Sequence, residues 1–283
     1  MATFTNKATL TYNGISTDSN TVVGNIPENL TVNKNVINES YSFGDSITYV
    51  ISLVNDGSFS YNGLTVSDDL GAFVRDGVSY TPLDYTEGSV AYYVNGILQS
   101  APTVATTSPL AFSGINVPAG GNAVIVYRAS VNSFAPLAAG SAIDNTVSVS
   151  GAGLTAPITD SESLPVFEES LLSITKSLFP TEISESGELT YTLLIENTGN
   201  TEAPATANIV VSDTFDPIIN ISSVTLNGVA LEEGTGYTYN PLTGEFATVQ
   251  SVITVPAATY TTQPDGSIVT VPSSALLVIN GTI

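Results

Sequence analysis

Gly44-Asp-Ser-Ile-Thr-Tyr-Val-Ile-Ser-Leu-Val-Asn-Asp-Gly57 reads as a long β-strand with a turn at its end, and Gly187-Glu-Leu-Thr-Tyr-Thr-Leu-Leu-Ile-Glu-Asn-Thr-Gly199 writes the same pattern again. The match extends both ways. Downstream, Leu64-Thr-Val-Ser-Asp-Asp-Leu70 answers Ile209-Val-Val-Ser-Asp-Thr-Phe215, and upstream Leu30-Thr-Val-Asn-Lys34 answers Leu172-Ser-Ile-Thr-Lys176. Lys34 to Asp68 spans 68 − 34 = 34 positions and Lys176 to Asp213 spans 213 − 176 = 37, so the copies keep step within one loop. A duplication this long predicts two sandwich domains in tandem, not a solenoid of short units.

Outside these segments helical periodicity is absent. Thr, Val, Ile, Ser and Tyr alternate in short runs bounded by Gly, Pro, Asn and Asp, the signature of an all-β chain. The copies differ at their ends. The first runs through Ala123-Val-Ile-Val-Tyr-Arg-Ala-Ser-Val131 to a further strand, Ala142-Ile-Asp-Asn-Thr-Val-Ser-Val149, whereas the second stops at Ala275-Leu-Leu-Val-Ile-Asn-Gly-Thr-Ile283. With Ile283 laid on Val131, the counterpart of Asn145 would fall 145 − 131 = 14 places past the chain. The second domain therefore lacks its last strand.

A spare strand stands at the other end. Thr3-Phe-Thr-Asn-Lys-Ala-Thr-Leu-Thr-Tyr12 alternates Phe4, Asn6, Ala8, Leu10 and Tyr12 on one face with polar residues on the other. Its single inward amide, Asn6, matches Asn145. An open sandwich exposes apolar surface and unpaired backbone, so this strand is expected to complete the second domain of a neighbouring molecule. Donation head to tail does not close on itself and generates a filament. The predicted organisation is a donor strand with linker (1–28, its linker from residue 13), a complete sandwich (29–150), a linker (151–169) and an incomplete acceptor sandwich (170–283).

Composition narrows the function. Among 283 residues there are 5 Lys and Arg against 26 Asp and Glu, with no His, Cys or Trp, for a net charge of −21. A chain this acidic offers no basic patch for nucleic acid or an anionic membrane. Without His and Cys, most general-base and soft-metal chemistry is missing, so no enzyme activity, cofactor or metal is expected. Disulfides are impossible. No run of eighteen apolar residues is present, and the first residues do not read as a signal peptide, which points to a fibre made without export, such as an endospore appendage.

The quoted motifs, a Lys strand, Gly-Asp-x-x-Thr-Tyr ending in Asn-x-Gly, Val-Ser-Asp and an Asn-Thr strand, resemble the repeat domain of unknown function number eleven of prokaryotic surface proteins. They are also similar to immunoglobulin-like pilin and adhesin domains that form spontaneous Lys–Asn isopeptide bonds. The resemblance implies two tandem immunoglobulin-like β-sandwiches in a self-assembling surface fibre, a homopolymer whose tip and anchor proteins are unspecified. It also implies a bond between Lys34 and Asn145 assisted by Asp68, and a second between Lys176 and Asn6 of another molecule assisted by Asp213. Such a bond needs a neutral amine beside an amide and an acid for the leaving group. Burial disfavours both charged forms, so a buried lysine–aspartate pair can move its proton and present two neutral partners.

Competing readings remain open at this point. The lysines could be plain salt-bridge partners, and Asp45 and Glu188, each just after a glycine at matched positions, are second-ranked acids. Acidic pairs at Asp160 and Glu162 and at Glu168 and Glu169 lack the spacing of a calcium loop. The sequons at Asn29 and Asn220 carry little weight. Tyr80, Tyr85, Tyr92 and Tyr93 could instead grip a carbohydrate or protein ligand, making the chain an adhesin, although such clusters are more often core.

Overall fold

The computed structural model describes residues 2–26, 29–182 and 187–283. The chain is all-β apart from a short 3₁₀ turn at Ala205–Ala207, and it forms two compact units, the second beginning at Phe167 with Leu137–Ser141 added from the first.

The first unit is a sandwich of two antiparallel sheets. One runs Ile97–Leu98, Ala91–Val94, Gly121–Val131, Ser46–Asn55, Leu30–Val36; the other runs Thr103–Thr107, Leu110–Val117, Tyr61–Asp68, Ala142–Ser150, Ile158–Pro165. Alternation along each strand sends one face inward. Ile47, Tyr49, Ile51 and Leu53 from one sheet meet Leu64, Val66, Phe112, Val147 and Val149 from the other, all sealed from solvent. Residues 151–169, expected as a linker, contain the last strand of this sandwich: Ile158–Pro165 pairs along its whole length with the Asn145 strand. The polar alternation of Ile158-Thr-Asp-Ser-Glu-Ser-Leu-Pro165, with Glu162 opposite Asn145, disguises an edge strand as a loop.

The second unit repeats the first sheet with the same register. Lys176 lies opposite Leu193 as Lys34 lies opposite Ile51, and Tyr191 opposite Ile279 as Tyr49 opposite Tyr127. Its other sheet is reduced to Ser212–Thr214, Glu245–Thr248 and Tyr237–Asn240, with a separate hairpin of Thr259–Thr262 and Ile268–Val271. Asp213 pairs with Phe246 as Asp68 pairs with Leu110. On the far side of Asp68 lies the Asn145 strand; on the far side of Asp213, among the described residues, no strand is paired.

The Asn-x-Gly turns of the repeated pattern share three of their bonds. Asn197 accepts the Gly199 and Leu171 N–H groups at 2.9 and 3.0 Å and donates to the carbonyls of Thr201 and Pro256 at 2.8 and 3.0 Å. Gly199 is required because a Cβ there would lie 2.2 Å from the Glu169 carbonyl oxygen. Asn55 does the same work in the first unit, with Gly57, Phe59 and Pro118.

Residues 2–26 form a long β-hairpin. Ala2–Asn6 pairs with Val22–Ile26, Thr9–Tyr12 pairs with Ile15–Asp18, and Asn13-Gly14, both at positive φ, makes the two-residue turn. The stretch expected as a linker from residue 13 is thus largely the return strand of a hairpin; the Asn-Gly signal for it was in the sequence. Pro27 and Glu28 lie outside the described residues.

Asn197→Ala removes the amide that ties four backbone groups together. We expect a loss of about 2–3 kcal/mol in the second unit, as for buried backbone groups left without partners, read by chemical denaturation. An unchanged midpoint would mean that water replaces the amide there.

Candidate lysine–asparagine sites

The Leu30–Val36 strand brings Lys34 into the first sandwich with its side chain wholly removed from water, and Asp68 and Asn145 face it from the opposite sheet, both at 0% exposure. Lys34 Nζ donates to Asp68 Oδ2, and its ammonium lies 4.8 Å from the centroid of the Tyr49 ring. The same carboxylate oxygen accepts the Tyr127 hydroxyl at 2.7 Å, while Asp68 Oδ1 accepts the Leu70 N–H at 3.0 Å. Asn145 closes the group: its Nδ2 donates to the Tyr127 hydroxyl at 3.4 Å, and its Oδ1 accepts the Gly71 N–H at 3.3 Å. One phenol therefore bridges the acid and the amide.

Electrostatics follow from the burial. Removal from water pushes the Lys34 amine below its ordinary value of 10.5, against the opposing pull of Asp68. Burial and the neighbouring Asp68 charge push the Tyr127 phenol well up, so it stays a proton donor. An amine biased toward neutrality, an amide whose oxygen is already held by a backbone N–H, and a carboxylate beside them are the components of amide transfer.

Tyr127 and the Gly71 N–H were not singled out in the sequence, and Asp160 was weighed there only as a calcium ligand. Tyr127 sits on the inward face of a plainly readable strand, but only the cross-sheet packing shows its hydroxyl lying between Asp68 and Asn145. Asp160 accepts the Lys34 backbone N–H at 2.7 Å, so this acid fixes a strand edge. Asp45, exposed, accepts the Ser42 N–H at 2.8 Å, and Glu188 is exposed, whereas each lysine is bonded to the other acid of its unit.

The second unit holds the same pair in an unfinished setting. Lys176 Nζ donates to Asp213 Oδ2 and lies 4.3 Å from the Tyr191 ring centroid and 5.4 Å from that of Phe215. Its side chain is 39% exposed and that of Asp213 16%, against zero for the first pair. Leu172 and Ile174 on the same strand are exposed as well. Ile279 occupies the place of Tyr127, so this unit carries no bridging phenol at that position.

Asn6 stands in the hairpin opposite Val22, exposed, as are Phe4, Ala8, Leu10 and Tyr12. Lys7 and Asp18 form an exposed ion pair across it at 2.5 Å. Of the four tyrosines weighed as a ligand grip, Tyr92 is buried with its hydroxyl at 2.9 Å from the Asn116 carbonyl oxygen, Tyr85 packs on Phe112 and Tyr127, and Tyr80 stacks between Phe73 and Phe134. No group of acidic side chains that could hold a metal occurs among the described residues, and no helix is long and apolar enough to cross a membrane.

No protein-family model matches the chain, and no curated protein does. Among solved structures, the chain is similar to the pilus backbone protein RrgB of Streptococcus pneumoniae, at 11% identity and TM-score 0.33 over 90% of this chain and 50% of that one. It is similar to BcpA, the major pilin subunit of Bacillus cereus, at 12% identity and TM-score 0.33 over 90% and 66%. It is also similar to AvmM, described as catalysing macrocyclization in alchivemycin A biosynthesis, at 11% identity and TM-score 0.30 over 58% and 98%.

Proposed function

We propose that the chain is the structural subunit of an extracellular pilus-like fibre, joined head to tail by its N-terminal strand and locked by self-catalysed Lys–Asn isopeptide bonds. The observation that carries this reading is the unpaired side of the Asp213 strand. The first unit places its Asn145 strand at that position, and the second unit keeps an aligned lysine and aspartate there with no strand paired opposite among the described residues.

In the first unit, neutral Lys34 Nζ attacks Asn145 Cγ. The Gly71 N–H supports the developing oxyanion, Tyr127 and Asp68 supply a proton to the departing Nδ2, and ammonia leaves. One C–N bond forms and one breaks. In the second unit Lys176 attacks Asn6 of the next molecule, with Asp213 as the acid. Each site turns over once, on its own fibre, so the chain acts as material and not as an enzyme.

Alignment of Asn6 with Asn145 puts Ala8 opposite Asp213, where Val147 lies opposite Asp68, and sets Phe4 and Leu10 at the places of Ile143 and Val149. Phe4 and Leu10 are 53% and 65% exposed in the isolated chain, whereas Ile143 and Val149 are 2% and 0%. Burying each side chain on insertion contributes about 1.5–3 kcal/mol. The spore surface is the first location to test, by immunolabelling of spores beside vegetative cells.

Mass spectrometry after boiling in denaturant should give a ladder of multimers, with a loss of about 17 Da per bond as ammonia departs. Lys176→Ala or Asn6→Ala should collapse the ladder to monomer; a ladder that survives both changes refutes the intermolecular bond. Lys34→Ala should keep the ladder, remove one mass loss per subunit, and cost the first unit about 3–5 kcal/mol by stranding a buried carboxylate. On refolding, bond formation at Lys34 should rise with pH as the amine deprotonates and level off below 10.5, because burial holds the amine below that value. A profile still climbing through 10.5 would show an amine as basic as a solvated one.

A further inference from the structure

In the first unit the Asn145 strand is not the end of its sheet. Its free side is covered by Ile158–Pro165, paired residue for residue from Ala142↔Pro165 to Val149↔Ile158. The second unit, among the described residues, lacks both of these strands. A single inserted strand would pair with Ser212–Thr214 on one side and leave its other row of N–H and C=O groups open, replacing one exposed edge by another.

Resting on the head-to-tail reading above, we infer that the donated element is the whole N-terminal hairpin, Ala2–Ile26, entering the neighbour's second unit as a preformed pair of strands. Three correspondences carry this. First, the order is the same: a strand bearing the asparagine comes first and its return strand second, so the hairpin can take the places of Ala142–Ser150 and Ile158–Pro165 without any change of direction.

Second, the facing of residues agrees over Ala2–Asn6 and Val22–Ile26, beyond which the hairpin register shifts by one, with Thr9 opposite Asp18. Asn6↔Val22 takes the place of Asn145↔Glu162, and Thr5↔Val23 then takes that of Asp144↔Ser163, a pair that stays exposed in the finished sandwich. Phe4, on the Asn6 side, lies over Gly24 across the hairpin, where any Cβ would come within 2.3 Å of the ring. One contact of the inward face is thus made before docking, while Phe4 stays 53% exposed.

Third, the connections agree. Within one chain the return strand ends at Pro165 and the first strand of the next sandwich begins at Leu172, 172 − 165 = 7 positions on. From the end of the hairpin at Ile26 to the first strand at Leu30 is 30 − 26 = 4 positions. In both cases the strand that finishes one sandwich leads by a short connection into the next. The joint between molecules would repeat the joint within a molecule.

The chain has no cysteine, so a designed disulfide has no competitor. Thr5→Cys with Val23→Cys joins directly opposed residues, whose spacing in an antiparallel pair suits the bond, on the face that remains outside. Oxidised double-variant subunits are expected to assemble to the yield of the reduced ones and of wild type. Assembly that is lost on oxidation and restored by reduction overturns the inference, because the strands would then have to separate. Hydrogen exchange on wild-type polymer gives an independent reading: amides of Val22–Ile26 should keep the protection they have in the free chain, and exchange faster by about tenfold or more would also overturn it. If wild-type chains do not associate at all, the head-to-tail reading itself fails, and the hairpin proposal with it.

Discussion

A β-strand inside a sandwich has two sides, and each must be hydrogen-bonded to protein or to water. At Ser212–Thr214 one side is met by Glu245–Thr248 and the other, among the described residues, by no strand. The rest of the second unit follows from that gap. Leu172 and Ile174 are exposed, Lys176 is partly exposed, and, among the described residues, the second sheet has three strands where the first unit has five.

The two lysine–aspartate pairs can be compared as one device in two states of closure. Lys34 shows the closed state: no water, a neighbouring ring, a carboxylate held by a phenol and a backbone N–H, and an amide at hand. Lys176 keeps the carboxylate and the aromatic neighbours but remains wet. On the fibre reading, burial by the incoming strands would bring the amide and withdraw the water together.

The duplicated strand pattern made the fold class readable, because a period-two alternation written twice fixes strands, register and the paired Lys and Asp positions together. What could not be read were features that exist only across space. Tyr127 is indistinguishable in sequence from any core tyrosine until its hydroxyl is seen between Asp68 and Asn145. Ile158–Pro165 was hidden because an edge strand carries charge on purpose, and Asp160 and Glu162 look like linker acids until one caps the Lys34 backbone. Residues 15–23 were obscured for a related reason: a ribbon exposed on both faces has no buried face to impose a clear alternation, although Asn13-Gly14 marked its turn.

The difference between Tyr127 and Ile279 bears on time as well as on structure. The first unit carries its own closing strands, so its completion is a unimolecular event that proceeds at a rate independent of how crowded the subunits are. On the fibre reading the second unit finishes on encounter, a bimolecular event, and with one fewer proton donor from its own strands. A freshly made chain would therefore mature in two kinetic orders: one half at once and alone, the other only where subunits are concentrated. On that same reading, dilution would hold the chains as half-finished, storable monomers, and local accumulation would set the moment of polymerisation.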